Sequence, residues 1–384
     1  MNTKIRMGMI GGSLDGFIGS VHRMAAALDG KIELVCGAFS SDSKRSIETG
    51  NSLYLSTDRI YASYEEMILK EAQLPSDIRM QFVSIVTPNF LHAHPATLAL
   101  QNGFHVLCEK PLALSLDEAI ELERLAKQTG LLFGVTHNYT SYPMVKEARQ
   151  LIESGKLGKI RKVIVEYPQG WLSEPIESDG QKQASWRTNP KQAGISCCVG
   201  DIGTHAAHLA EYVTGHAIQE LSADISTFVD GRLLDDDANM LLRFEKGTKG
   251  VLIATQIAHG ESNELKIRVY GESGGIEWLQ SNPNFLHIKQ NDKPEQILQA
   301  GTNHSYLSEQ TRLHCRIPAG HPEGYLESMA NLYRNFSMAV DSFENKESIN
   351  SLFDFPTIED GVRGMKFIET AIASGKQNSK WLTL

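Results

Sequence analysis

The chain has 384 residues, 41% of them hydrophobic and 22% charged, enough to build two or three globular cores and unlike a disordered, collagenous or disulfide-stapled protein. Its net charge of −9 repels a phosphate backbone, so nucleic acid is not expected as a partner. The five cysteines are odd in number and contain no CxxC pair, which fits buried reduced thiols and a cytoplasmic location. No secretory signal is legible in the opening residues, and no run of about eighteen apolar residues offers a membrane span.

A strand is expected over residues 4–10, ending at Gly11-Gly12, then a helix over 19–28 and a second strand over 32–39. Ser63-Tyr64-Glu65-Glu66 is a capping box that opens another helix. The apolar run 82–86 reads as a buried strand, 91–101 as a helix stopped by Gly103, and 104–108 as a strand. A second capping box, Ser115 to Glu118, opens a helix that Gly130 closes as a left-handed cap, and 131–135 is one more strand. Strands separated by helices imply right-handed βαβ units and a parallel sheet.

The pattern changes after residue 137. A helix at 144–153 and a strand at 160–167 precede an irregular stretch, 169–199, and a helix at 201–213. Strands then crowd together at 218–229, 238–245, 250–258, 264–270, 274–279 and 285–288, joined by short turns as in an antiparallel meander. Helices near 322–343 and 359–374 close the chain. The expected architecture is α/β: a doubly wound Rossmann domain over residues 1–137, then an α+β domain over 138–384 built on a large open, mainly antiparallel sheet, whose closing helices can pack back on the first domain.

The turn Gly11-Gly12-Ser13-Leu14-Asp15-Gly16-Phe17-Ile18-Gly19 joins the first strand to the first helix. Glycine lets the backbone approach a pyrophosphate, and the helix N-terminus offers free N–H groups, so a dinucleotide cradle is expected there. The motif is not a clean G-x-G-x-x-G: Ser13 stands for the second glycine and three residues are inserted before Gly19. After the second strand, Ser40 stands where an acid for a ribose hydroxyl would be expected, with Lys44 and Arg45 behind it. These suit a 2′-phosphate, whereas Asp42 suits a ribose; NAD and NADP both stay open.

Three further motifs carry a resemblance. The strand 104–108 runs into Glu109-Lys110-Pro111, the strand 82–86 ends in Thr87-Pro88-Asn89 followed by His92, and Gly194 to His205 contains Asp201 and His205 four residues apart. With the glycine turn, these resemble the glucose–fructose oxidoreductase, inositol dehydrogenase and MocA family of NAD(P)-dependent sugar oxidoreductases, over essentially the whole chain. The resemblance implies a cofactor site that includes Thr87, Pro88, Asn89, His92, Glu109, Lys110 and Asn138, and a Trp186-Arg187 pair near the cofactor. It implies that Lys110, Asp201 and His205 are catalytic, and that Tyr139 touches nicotinamide or substrate.

The residue types suit that chemistry independently. Lys110 follows a parallel strand at the crevice where doubly wound sheets bind ligands, and an ammonium beside an oxidised nicotinamide gives up a proton more readily. Asp201 and His205, one helical turn apart, can address one substrate hydroxyl, with His205 as base and Asp201 as its orienting anion. Trp171 can stack on a pyranose, and His259 and His321 can hydrogen-bond a polyol; each is equally at home in a structural role. Asp201, His205 and His208 resemble a ligand triple, but no metal is expected. The expected function is hydride transfer between a ring hydroxyl of a sugar, glycoside or cyclitol and nicotinamide. The alternative is an NAD-dependent glycoside hydrolase that oxidises at C3, eliminates the aglycone, adds water and reduces again, with an anionic sugar among its candidate substrates. A homodimer or homotetramer through the open sheet is expected.

Overall fold

The computed structural model describes residues 4–384, apart from the Phe17 side chain. The chain divides into two compact units, Met1–Asn138 with Tyr325–Val362, and Tyr139–Gly324 with Arg363–Leu384. The first unit opens with β1 (Ile5–Gly11), α1 (Phe17–Leu28), β2 (Ile32–Ala38), α2 (Ser43–Ser52) and α3 (Tyr64–Glu71). It continues with β3 (Phe82–Val86), α4 (Ala93–Gln101), β4 (His105–Cys108), α5 (Leu116–Thr129) and β5 (Phe133–Val135). The five strands form a parallel sheet in the order β2-β1-β3-β4-β5, so the strand order reverses at β1 and β3, the switch point of a doubly wound fold. Every residue of β3 and β4 is buried, which is why the run 82–86 reads as mostly apolar instead of alternating.

Both expected capping boxes form. Ser63 and Ser115 accept the backbone N–H groups of Glu66 and Glu118, and those glutamates accept in return from the N–H groups of Ala62 and Leu114, one residue before each cap. Gly130 closes α5 at φ 69°.

The second unit contains α6 (Pro143–Glu153), β6 (Ile160–Pro168), α7 (Lys182–Arg187), α8 (Pro190–Ala193) and, after a π-helical turn at Val199–Gly203, α9 (Thr204–Thr214). Then come β7 (Ile218–Ser226), β8 (Asp237–Phe244), β9 (Lys249–Thr255), β10 (Lys266–Gly271), β11 (Gly275–Leu279), β12 (Phe285–Lys289), β13 (Gln296–Gln299) and α10 (Glu309–Leu313). The chain ends with α11 (Tyr325–Glu344), α12 (Ile358–Lys376) and β14 (Leu382–Thr383). Nine strands form one sheet in the order β13-β12-β11-β10-β6-β9-β8-β7-β14, antiparallel throughout except for the β6/β9 pair. In β8, Ala238, Met240, Leu242 and Phe244 are buried while Asn239 and Leu241 are exposed, the alternation of a sheet covered on one face.

Three expectations need correction. The stretch 169–199 is not wholly irregular but holds the short helices α7 and α8. Residues 201–213 are not one regular helix, since the first three close the π turn. The sheet also gains β13 and β14, edge strands too short or too exposed to show alternation. The first unit incorporates α11, whose Met329, Ala330, Leu332, Tyr333, Phe336 and Val340 share a core with Met7, Met9, Ala25, Phe82 and Leu107.

Candidate active site

The glycine turn has the backbone a phosphate cradle requires. Gly11 and Gly12 lie at φ 82° and 73°, and a Cβ on Gly19 would come within 2.3 Å of Gly12 Cα. The three extra residues are absorbed as a local turn, in which Gly16 N–H donates to Ser13 O at 2.8 Å while Leu14 and Asp15 point to solvent. Arg23 Nη1 donates to Gly12 O at 2.5 Å from the second turn of α1, and Gly16 caps that helix without a side-chain acceptor for its first N–H groups. Ile18 is half-buried, and the Phe17 side chain lies outside the described residues. The turn thus fits a dinucleotide pyrophosphate on its own geometry.

Beyond β2 the expected phosphate-reading set is otherwise engaged. Asp42 is the N-cap of α2, accepting from the N–H groups of Lys44 and Arg45, and Ser40 Oγ accepts from Asp42 N–H at 3.1 Å. Arg45 pairs with Asp15 at 3.3 Å and lies 3.9 Å from Asp42, while Lys44 is exposed.

The ends of β3 and β4 are tied to each other. Thr87 Oγ1 donates to Leu91 O, and His92, fully buried, sets one ring nitrogen 2.8 Å from Thr87 O and the other 2.8 Å from Pro111 O. Burial pushes the His92 imidazole toward its neutral form. His92 was expected to contact the cofactor; both of its ring nitrogens instead brace the turns that carry Pro88 and Lys110. Asn89 is buried beside it. Glu109 Oε1 accepts from His22 Nε2 at 2.9 Å and from Thr136 Oγ1 at 2.5 Å, and Glu109 Oε2 accepts from the Lys110 N–H at 3.2 Å. Burial by itself would raise the Glu109 carboxyl, but His22, the Lys110 charge and Thr136 outweigh it and hold the group at about 2. Asn138 is buried, its Nδ2 3.4 Å from Ser328 Oγ.

In the second unit, Asp201 sits on the π turn and His205 in the first turn of α9. Asp201 Oδ2 accepts from Gln256 Nε2 at 2.9 Å and forms an ion pair with Arg187 Nε at 3.3 Å. The Arg187 guanidinium lies 4.2 Å from the Trp186 ring centroid and 5.7 Å from that of Trp171. His205 is buried, edge-on to Tyr139 with centroids 4.8 Å apart and tilted against Tyr167 at 6.5 Å. Tyr139 and Tyr167 share a hydrogen bond between hydroxyls, and Tyr167 OH donates to Asn263 Oδ1 at 2.7 Å. Burial raises the Tyr139 phenol, so at neutral pH it is a hydrogen-bonding group and not a base.

An amide set extends this cluster. Gln169 Nε2 reaches Asn263 Oδ1 at 2.5 Å, Asn263 Nδ2 reaches Gln280 at 2.9 Å, and Trp171 Nε1 donates to Gln169 Oε1 at 3.0 Å. The π turn is anchored by Asp235, which accepts from Cys197 N–H at 2.8 Å, Val199 N–H at 2.7 Å and Ser196 Oγ at 3.0 Å. His259 and His321 do not join the set: both are exposed, and His321 Nδ1 lies 3.1 Å from Pro318 O. Burial pushes the Cys197 and Cys198 thiols up, which makes both inert filling at neutral pH.

The signature of the oxidoreductase family with an NAD-binding Rossmann fold matches residues 5–137, and that of the GFO/IDH/MocA C-terminal domain matches residues 145–277. The chain belongs to the GFO/IDH/MocA oxidoreductase family. It is 34% identical over 383 residues to the uncharacterized oxidoreductase YfiI of Bacillus subtilis, covering 98% of this chain and 96% of that protein. An inositol dehydrogenase homolog of Azotobacter vinelandii complexed with NAD+ superposes with a TM-score of 0.94 at 36% identity, covering 100% of this chain and 98% of the other. The same homolog complexed with NADH and myo-inositol gives 0.92 at 35% identity, over 100% and 98% of the two chains. Levoglucosan dehydrogenase of Pseudarthrobacter phenanthrenivorans is 29% identical over 307 residues, 74% of this chain and 76% of that protein.

Within this GFO/IDH/MocA chain, sequence reasoning passed over His22, Ser84, Thr136 and Tyr333 around Glu109, and Tyr167, Gln169, Asp235, Gln256 and Asn263 around Asp201. His22 follows the glycine turn, Ser84 lies in the strand before Thr87 and Thr136 just before Asn138, but what joins them to Glu109 and Tyr333 is tertiary contact. Among the described residues, no cluster of histidine, cysteine or acidic groups is arranged to hold a metal ion, and no helix is long and apolar enough to cross a membrane.

Proposed function

We propose that this oxidoreductase acts with NAD on a ring hydroxyl of an uncharged cyclitol, anhydrosugar or glycoside. The observation that carries the reading is the polar cluster around His205: a buried imidazole flanked by two tyrosines, an aspartate fixed by Gln256 and Arg187, and an extended set of carboxamides. Carboxamides and phenols donate and accept at once, which suits hydroxyl groups of either orientation. Arg187 already pairs with Asp201, so it is not a spare cation for an anionic sugar. The activities named for the inositol dehydrogenase homolog and levoglucosan dehydrogenase support the same substrate class.

The bound nicotinamide would supply the hydride acceptor or donor at C4. Gly11, Gly12, Ser13 and Gly19 would hold the pyrophosphate, with the Thr87-Pro88-Asn89 and Glu109-Lys110 turns lining the rest. The proton-handling groups would be the Lys110 ammonium, as a hydrogen-bond donor to a hydroxyl, and the His205 imidazole, as a holder of a hydroxyl proton. Asp201, held by its ion pair with Arg187, would orient substrate hydroxyls or the imidazole. NAD is favoured over NADP because Arg45 is matched by Asp15 and Asp42, whose carboxylates would repel a 2′-phosphate.

The test is a panel of cyclitols, anhydrosugars and aryl glycosides incubated with the purified protein and either NAD or NADP. NADH formed in step with substrate consumed supports the reading. Release of aglycone without NADH accumulation overturns it in favour of hydrolysis. Lys110→Ala and His205→Asn are each expected to lower kcat by about a hundredfold or more, the scale of a lost proton-transfer group.

A further inference from the structure

A line of side chains from three separate elements runs through the interior of the first unit and ends at Glu109, just past β4. Ser84 Oγ on β3 lies 2.6 Å from Tyr333 OH on α11. Tyr333 OH lies 2.7 Å from Nδ1 of His22 on α1, and His22 Nε2 lies 2.9 Å from Glu109 Oε1. His22, Ser84 and Tyr333 are each fully buried, and the imidazole meets the tyrosine ring edge-on at 5.7 Å.

Polar groups are expensive in such a place unless every one is satisfied, and an apolar trio would fill the space at less cost. Here each is satisfied. With Glu109 ionised, His22 Nε2–H must donate to it. The two hydroxyls rotate, so Nδ1 finds a partner whether it accepts from Tyr333 or donates to it, with Ser84 completing the series in either direction. The remaining contacts of Glu109 point one way along the chain: Thr136 fixes Oε1 and the Lys110 N–H fixes Oε2. A carboxylate with three donors on it cannot swing, and the residue bonded to it is Lys110. The nearest cation on α1, Arg23, is turned to Gly12 O and does not compete for Glu109.

We infer that His22 is a positioning residue for Lys110, acting through Glu109, with Tyr333 and Ser84 fixing the imidazole from its far side. The inference rests on the proton-handling role proposed for Lys110.

The experiment compares wild type, His22→Ala, His22→Gln, Tyr333→Phe and Lys110→Ala in the full chain. It reads kcat and KM with a turned-over substrate, NAD affinity by calorimetry, and the histidine ring signals of the cofactor-free protein by NMR. His22→Ala is expected to lower kcat by about thirty- to a hundredfold, the scale of an ångström-sized misplacement, while NAD affinity changes by no more than about threefold. His22→Gln is expected to recover most of that loss, because its amide can donate to Glu109 while its carbonyl accepts from Tyr333. In the cofactor-free protein, His22 is expected to carry its proton on Nε2, and Tyr333→Phe is expected to displace that ring signal. Wild-type kcat in His22→Ala, no advantage of Gln over Ala, a matching loss of NAD affinity, or a proton on Nδ1 alone each overturns the inference. If Lys110→Ala is inactive while His22→Ala is active, only the positioning role falls. If Lys110→Ala turns over normally, the proposed role of Lys110 falls first and takes the positioning role with it.

Discussion

Glu109 has the environment that decides its own charge. Its folded-state carboxyl, at about 2, lies below the ordinary glutamate value of roughly 4.3, so folding favours the ionised form. A depressed carboxyl contributes stability that is fully present above the unfolded value and is lost as pH falls through the folded one. The window therefore runs from about pH 4.3 down to about pH 2, and the contribution is roughly 3 kcal/mol at 1.36 kcal/mol per unit. Urea denaturation of wild type and Glu109→Gln across that window checks it: the wild-type advantage should shrink by about that amount toward low pH, and parallel curves would refute it. Lys110 and Glu109 were legible because a short motif ends a strand. His22, Ser84 and Tyr333 were not, because a buried histidine, serine or tyrosine has no local pattern that separates it from packing; their partners are 87, 249 and 311 positions away.

Elements with an apolar run or a cap were readable from the sequence alone: β3 by its run at 82–86, and α3 and α5 by their capping boxes. The short helices α7 and α8 were not, since six and four residues span fewer than two helical turns and show no repeat, and their ordering comes from the Gln181 and Asn189 caps. A 3.6-residue period also cannot reveal a π turn, so the start of the Asp201 helix was misread. That turn depends on Asp235. Asp235→Ala leaves the Cys197 and Val199 N–H groups without their acceptor in a buried site, at about 1–3 kcal/mol for each. It should lower Tm and kcat together, and Asp235→Asn should keep part of both; an unchanged Tm in the alanine variant would disprove the anchoring role. At the glycine turn, the 2.3 Å approach that a Cβ on Gly19 would make falls on Gly12 backbone, which cannot rotate away. Gly19→Ala should cost about 1–3 kcal/mol of stability by overpacking and, through the displaced cradle, about tenfold or more in NAD affinity. Wild-type NAD affinity by calorimetry would count against the cradle.

The closing helices were expected to be able to pack back on the first domain, and α11 belongs to the first unit. Its buried face carries Met329, Leu332, Tyr333, Phe336 and Val340, and a helix expected near 322–343 does not by itself say which surface will cover such a face. Closing so long an excursion costs little more entropy than closing a short one, because the cost grows only with the logarithm of length. The surface it meets is specific: Phe336 packs edge-on to Phe82 at 5.4 Å, and a Cβ on Gly134 would come to 3.0 Å of the same ring. Burying five such side chains at roughly 1.5–3 kcal/mol each supplies about 7–15 kcal/mol, as much as the whole net stability of an ordinary domain. Residues 1–138 alone should therefore lack a cooperative unfolding transition and fail to bind NAD, although they contain every strand of the parallel sheet and the glycine turn. Joining residues 325–362 to that fragment through a flexible linker should restore both, as read by urea denaturation followed by circular dichroism and by calorimetry with NAD. A cooperative, NAD-binding fragment without α11 would show that the sheet and its own five helices suffice, and that the core shared with α11 adds stability that the fold does not need.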